Sequence, residues 1–142
     1  MRVDFYHRTE STAEVAVAGV ARKALASGQR MLVIAEGAGR LAALSEALWA
    51  REGFIANGIA GGPHDARQPV LLSETLEPTN GASLLALADG QWRESDAFER
   101  VFYFFDGSTI ETSRALWREL RQREGTECHY WKQDGGRWVE AA

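Results

Sequence analysis

Basic and aromatic side chains at helical spacing near the end of the chain are the residues best suited to chemistry. Arg114, Trp117, Arg118 and Arg121 are three, one and three positions apart, so they share one face of a helix. Guanidinium groups pair with carboxylates, and an indole ring offers a flat apolar contact. We expect these four residues, the basic stripe, to bind an anion next to an apolar group. A solvated helix face, with Trp117 half buried and Glu119 and Glu124 balancing the charge, fits the spacing equally well.

An aromatic pair stands where a predicted helix gives way to a glycine-rich stretch. Trp49 lies at the end of that helix, and Phe54 follows shortly after it. Exposed aromatic side chains often anchor protein interfaces. The pair therefore predicts either a docking patch for another protein or a part of the core.

Two predicted strands end in residues that could serve a nucleotide site. The loop Gly37–Arg40 follows the second strand, and Asp106 follows a strongly apolar strand. Ligands of open α/β sheets bind at the carboxyl ends of strands, so a small nucleotide-binding enzyme is the alternative function. The loop lacks the third glycine of a dinucleotide fingerprint, and the chain has no phosphate loop. A helix start eased by glycine, and a turn stabilised by Asp106, explain the same residues.

The histidines and the cysteine show no arrangement typical of a metal site or a covalent nucleophile. His7, His64 and His129 are far apart in sequence, and Cys128 lies next to His129 on a predicted strand. Neighbouring strand residues point to opposite faces, so these two cannot hold one ion together. The single cysteine also excludes an intramolecular disulfide. The sequence therefore predicts no catalytic residue, no metal and no cofactor.

Short apolar runs alternate with amphipathic segments, which is typical of strands joined by helices. Strands are predicted over 3–6, 31–35, 69–73, 82–88, 101–105, 126–133 and 137–139, and helices over 11–27, 41–50 and 108–124. The predicted fold class is α/β: a single Rossmann-like three-layer domain with a largely parallel sheet. Antiparallel additions are expected in the middle, where a turn joins 69–73 to 82–88, and in the hairpin at the end. Leu116 and Leu120 are expected to dock the last helix on the sheet.

The starts of two of these helices carry a capping signal. Ser11 with Glu14, and Ser108 with Glu111, have the spacing of capping boxes, in which the serine and the glutamate satisfy the first free amides of a helix.

Length and composition agree with one domain over residues 1–142. The chain is 45% hydrophobic and 25% charged, and 142 residues suffice for one core. Its formal net charge of −4 argues against general nucleic-acid binding. The start of the chain lacks the apolar stretch of a signal peptide, and no run is long enough to span a membrane. We therefore expect a cytoplasmic protein.

Several short motifs recur in this order in one known family. They are VDFYH (3–7), GQRMLV (28–33), the helix over 41–49, PV (69–70), the helix over 114–118, YW (130–131) and GRW (136–138). In these motifs and their order, the chain resembles the chi subunit of bacterial DNA polymerase III over essentially its whole length.

The resemblance implies a non-catalytic accessory subunit of the clamp-loader complex, with a Rossmann-like fold and no working nucleotide site. Members of the family bind the C-terminal tail of the single-stranded-DNA-binding protein, which is acidic and ends in Pro-Phe with a free carboxylate. In the family, the matching helix positions hold a basic residue, an aromatic residue and a second basic residue. These are Arg114, Trp117 and Arg118 here, and Arg121 is added from helical spacing alone.

The family also binds the psi subunit, which ties it to the clamp loader. Trp49 and Phe54 match the family's segment near that interface, so the resemblance favours docking for this pair. The segment between them is shorter than in the family, and Ala56-Asn57 replaces the usual Pro-His. No direct DNA binding and no membrane contact are expected.

Overall fold

One mixed sheet, covered by helices on both faces, carries the fold. The computed structural model describes residues 1–50 and 54–142. The strands are β1 (Arg2–His7), β2 (Met31–Ile34), β3 (Asn57–Ile59), β4 (Val70–Ser73), β5 (Leu84–Leu87), β6 (Arg100–Phe105), β7 (Glu127–Asp134) and β8 (Arg137–Glu140). The helices are α1 (Ala13–Ala26), α2 (Ala38–Ala50) and α3 (Ile110–Gln122), with short 3₁₀ turns at Asp65–Arg67 and Gly107–Thr109.

The strand order is β3-β4-β2-β5-β6-β1-β7-β8, and every neighbouring pair is parallel except β7 with β8. This arrangement confirms the predicted α/β fold with a largely parallel sheet. The terminal hairpin is confirmed as well. Gly135 and Gly136 join its strands, both with positive φ, as a two-residue hairpin turn of this kind requires.

The predicted antiparallel addition in the middle of the sheet is wrong. β4 and β5 do not pair with each other; each pairs in parallel with β2, from opposite sides. The segment 74–83 carries the chain back to the edge of the sheet where the strands begin. Asn80 fixes it there, because its buried amide donates to the carbonyls of Met31 and Gln68 at 3.2 and 2.9 Å.

The helices divide between the two faces, which confirms the predicted three layers. Alternate strand residues point to opposite faces. Val33 of β2, and the residues on the same face of the neighbouring strands, pack with the buried residues of α1 and α2. Leu32, and the residues on the opposite face, pack with Leu116 and Leu120 of α3. Among the described residues, no helix is long and apolar enough to cross a membrane.

Both predicted capping boxes are wrong, because neighbouring residues make the capping contacts. Thr12 caps α1: its Oγ1 accepts a hydrogen bond from the Val15 amide at 3.3 Å. Ser11 instead accepts from the Gln133 side chain at 2.7 Å, which attaches the start of α1 to β7. At the other site Asp106 accepts from the Ser108 amide at 2.9 Å. This contact confirms that Asp106 stabilises the turn that leads into α3.

A buried carboxylate fixes β7 beside β1 and thereby positions the surface described below. Asp4 is fully buried and accepts hydrogen bonds from Arg2 at 3.0 Å, Arg100 at 2.7 Å and the Trp131 indole at 2.9 Å. Burial alone would raise the pKa of Asp4, but these three donors lower it below its usual value. Because Trp131 faces Asp4, its neighbour Tyr130 is turned to the opposite face of the sheet, beneath α3.

Candidate functional site

The basic stripe lies on the outer side of α3, and the packing of that helix sets its orientation. Leu116 and Leu120 are buried against the sheet, as predicted. Ser113 is buried beside them and lies 3.1 Å from the Tyr103 hydroxyl. Because this face of α3 packs on the sheet, the opposite face points to solvent. Arg114, Arg118 and Arg121 lie on that opposite face, and all three are exposed.

Trp117 forms part of the wall of a surface cleft. Its ring is partly buried and meets Phe5 and Tyr130 edge to face, at centroid distances of 5.1 and 5.7 Å. The Arg121 guanidinium lies 5.5 Å from the centre of the indole, within the range of a cation–π contact. One cation of the stripe is therefore held directly against its aromatic residue.

The cleft beside Trp117 lies between α3 and β7 and has a volume of about 310 Å³. We call it the α3–β7 cleft. Its aromatic walls come from Phe105, Trp117 and Tyr130, and its cations are Arg114 and Lys132. The remaining lining residues are Ile110, Ser113, Ala141 and Ala142. An apolar cleft with a few charged groups can hold a ring while its cations bind an attached anion.

The stripe keeps most of its positive charge available for a ligand. Arg114 meets Glu111 at 3.3 Å, but both side chains are largely exposed, so this pair stabilises little. Within the described part of the chain, Arg118 has no carboxylate within 4.0 Å. Glu119 was expected to balance the stripe, but it pairs with Arg123 at 3.3 Å. The alternative of a solvated helix face predicted that Trp117 would be half buried and that Glu119 would balance the charge of the stripe. Trp117 is half buried as that alternative predicted, but Glu119 pairs with Arg123 and not with the stripe.

Sequence reasoning missed the contribution of the sheet to the cleft. Tyr130 and Lys132 are two positions apart on β7 and so point to the same face. That spacing is the signal that could have identified them, once α3 was expected to cross β7. Behind them, His7 stacks on Phe105 at 4.9 Å and lies 3.0 Å from the Tyr130 hydroxyl.

Two cations that line the cleft also affect His7, which lies behind Tyr130. Burial, and then the nearby Lys132 charge, hold the pKa of His7 below its usual value, and Arg114 adds to the effect. A lowered pKa favours the neutral form of the His7 ring, which lies beside the Tyr130 hydroxyl.

Trp49 and Phe54 are both exposed, at 47% and 73% of their surfaces. The interpretation of Trp49 as a core residue is therefore wrong; the neighbouring Leu48 takes that place and is fully buried. The Ile55 amide donates to the Leu48 carbonyl at 3.1 Å, which brings the residues next to Trp49 and Phe54 together at the end of α2. Such an exposed aromatic pair has the character of a docking patch.

The residues of the nucleotide hypothesis lie near a second cavity, of about 340 Å³, at the carboxyl ends of the strands. Arg40 and Asp106 both line it. The Asp106 carboxylate already binds the Ser108 amide and meets Arg8 at 3.2 Å, and the hydrogen bond from the Ser108 side chain is the main reason that its pKa is lowered.

Two backbone amides of the loop before α2 already donate hydrogen bonds to carboxylates of the protein. The Gly37 amide binds the Glu74 carboxylate at 2.7 Å, and the Glu36 amide binds Asp89 at 2.9 Å. A phosphate would need such amides, so protein carboxylates already occupy part of that site. Across residues 1–50 and 54–142, no group of three or more histidine, cysteine or acidic side chains is placed to hold a metal ion.

The chain matches the model of a known protein family. The family model described as "DNA polymerase III chi subunit, HolC" matches residues 1–127. The matched segment contains the whole basic stripe together with Trp49 and Phe54, and it ends before Tyr130 and Lys132. A search of curated proteins finds no match to this chain.

Proposed function

This chain belongs to the chi-subunit family of DNA polymerase III, and from that premise we propose what it binds. As an accessory subunit of the polymerase, it captures the acidic C-terminal tail of the single-stranded-DNA-binding protein on α3. Through the psi subunit it links that protein to the clamp loader. It acts in the cytoplasm, performs no catalysis itself and makes no direct contact with DNA.

The observation that carries the proposal is the position of an aromatic cleft beside exposed guanidinium groups on one face of α3. The tail brings carboxylates and a terminal phenylalanine, so it needs both features at once. Phe105, Trp117 and Tyr130 offer aromatic walls for the ring. Arg114, Arg118 and Arg121 offer cations for the carboxylates, of which Arg114 also reaches the cleft.

A peptide of the tail tests the proposal in a fluorescence anisotropy titration. Arg118→Ala removes an exposed cation that plays no part in the core, so we expect about fivefold weaker binding, the effect of about 1 kcal/mol for one exposed charge pair. Arg22→Ala is the matched control, because Arg22 is an exposed arginine on α1, on the other face of the sheet. Its affinity should equal that of the wild type.

Two outcomes of this titration would contradict different parts of the proposal. Equal binding by the wild type and Arg118→Ala would remove Arg118 from the site. No binding by the wild type would remove the function itself.

We further propose that Trp49 and Phe54 contact the psi subunit. Co-expression with a psi subunit, followed by size-exclusion chromatography, tests this role. Trp49→Ala and Phe54→Ala should abolish co-elution and leave tail binding unchanged, because the two surfaces lie on different elements. Val15→Ala is the control, since Val15 is also an exposed apolar residue, 41% exposed on α1. Co-elution of psi with both aromatic variants would show that it docks elsewhere.

The alternative of a nucleotide-binding enzyme has one observation in its favour, the strand-end cavity lined by Arg40 and Asp106. The carboxylates bound to the Glu36 and Gly37 amides count against it. A thermal shift assay with ATP, GTP and NAD, each with magnesium, separates the two functions. A tight ligand would raise the melting temperature, whereas a chi subunit should show no shift.

A further inference from the structure

We propose that His7, the last residue of β1, is a positioning residue for the α3–β7 cleft and holds the Tyr130 ring in the orientation that receives the aromatic end of the peptide. This inference rests on the proposed function, since it concerns the same peptide. Among the described residues, His7 is not one of those that line the cleft. It acts through two of the aromatic walls, which it contacts from behind.

His7 lies between the two strands that supply these walls. β1 runs between β6 and β7, and its register places His7 level with Phe105 on one side and Lys132 on the other. The His7 ring stacks on the Phe105 ring, with the centroids 4.9 Å apart and the planes at 14°. It meets the Tyr130 ring edge to face at a centroid distance of 6.2 Å. One side chain therefore contacts a wall residue on each neighbouring strand.

A hydrogen bond fixes the outer end of the Tyr130 side chain. Its hydroxyl lies 3.0 Å from the Nδ1 of His7. A neutral imidazole can accept the hydroxyl proton at this nitrogen while it carries its own proton on Nε2. The neutral form is favoured, because burial and then the charge of Lys132 lower the pKa of His7. Arg114 adds to this effect, and the charge of Asp106 opposes it.

Tyr130 is the more exposed of the two walls, so its orientation depends more on such a contact. Phe105 is buried in the core, whereas Tyr130 is only partly buried. A wall ring that is free to turn would have to be ordered when the peptide binds, and this ordering would weaken the affinity. The hydrogen bond to His7 orders Tyr130 before the peptide arrives.

A double-mutant cycle, with the affinity for the tail peptide measured by fluorescence anisotropy, tests this role. His7→Phe keeps a ring beside Phe105 but removes the hydrogen-bond acceptor, and Tyr130→Phe keeps the wall but removes the hydroxyl. We expect each variant to bind about fivefold more weakly, the effect of ordering one side chain during binding. The double variant should bind no more weakly than either single variant, because both changes break the same contact.

Two further variants separate the hydrogen bond from other effects of the substitutions. His7→Asn places an amide oxygen where the Nδ1 of the imidazole stood, so it should keep most of the wild-type affinity. His64→Phe is the matched control, because His64 is exposed between β3 and β4, at the opposite edge of the sheet. Its affinity should equal that of the wild type.

The results separate this inference from the proposed function. If His7 serves only the fold, His7→Phe will change the melting temperature and leave the affinity of the folded protein unchanged, which would overturn the inference. An asparagine variant as weak as His7→Phe, or losses that add up in the double variant, would overturn it as well. In each of these cases tail binding by the wild type stands. If the wild type binds no peptide, the proposed function itself fails.

Discussion

At the scale of single residues, Trp117 serves the fold and the cleft at the same time. Its edge-to-face contacts with Phe5 and Tyr130 join α3 to β1 and β7. Removal of the ring would therefore change stability together with binding, and a loss of affinity in Trp117→Ala could not be assigned to the site alone. Arg118 and Lys132 are better probes, because both side chains are exposed.

His129 makes the terminal hairpin sensitive to pH. Its Nδ1 lies 2.6 Å from a Glu140 oxygen on β8, and its Nε2 lies 3.0 Å from a Glu127 oxygen. Glu140 and then Glu127 raise the pKa of His129 above its ordinary value of 6.5. A raised pKa in the folded state adds stability below the unfolded value, and this stability is lost as the pH rises through the folded value.

We therefore expect the melting temperature to fall as the pH rises from about 6.5 through the raised pKa. His129→Gln should lose this dependence, because glutamine keeps polar atoms but cannot titrate. An NMR titration of the His129 ring gives the pKa directly. A midpoint at or below the ordinary histidine value would contradict the prediction.

The residues of the site differ in how far the sequence could predict them. Helical spacing alone grouped Arg114, Trp117, Arg118 and Arg121, because they lie on one element. Phe105, Tyr130 and Lys132 reach the same cleft from two strands. Tyr130 and Lys132 share the two-residue spacing of one strand face, but that spacing does not connect them with Phe105 or with α3. Only the order of the strands places β7 under α3.

At the scale of elements, the start of α1 gives a direct test of helix capping. The Thr12 hydroxyl accepts the Val15 amide, and Thr12 is exposed. Thr12→Ala should lower the free energy of unfolding by about 1 kcal/mol, whereas Thr12→Ser, which keeps the hydroxyl, should cost little. Urea denaturation measures both. An alanine variant as stable as the serine variant would show that Thr12 does not cap the helix.

The sequence predicted secondary structure correctly where a local residue pattern determines it. It failed where a side chain has a partner that is distant in the sequence and competes with the local contact. Buried runs such as Met31–Ile34 show their strands directly. The serines of both predicted capping boxes have other partners: Ser11 meets Gln133, and Ser108 meets Asp106. β4 and β5 pair with β2 and not with each other. The Asn80 side chain, which donates to the carbonyls of Met31 and Gln68, fixes the connection between them through contacts that no local pattern shows.

At the scale of the whole molecule, the distribution of charge matters more than its sum. The formal net charge is −4, which disfavours contact with DNA. One helix face departs from this average with Arg114, Arg118 and Arg121, and β7 adds Lys132 on the same side. An acidic body with one basic cleft fits a protein that binds the acidic tail of a DNA-coating protein and leaves the DNA alone.

The most direct test of this function is binding to the full-length single-stranded-DNA-binding protein, measured by isothermal titration calorimetry beside a form that lacks only its acidic tail. We predict that the full-length protein binds, that its affinity falls as salt is added because the contacts are ionic and exposed, and that the shortened form does not bind. Equal binding of both forms, or no binding of the full-length protein, would contradict the proposed function.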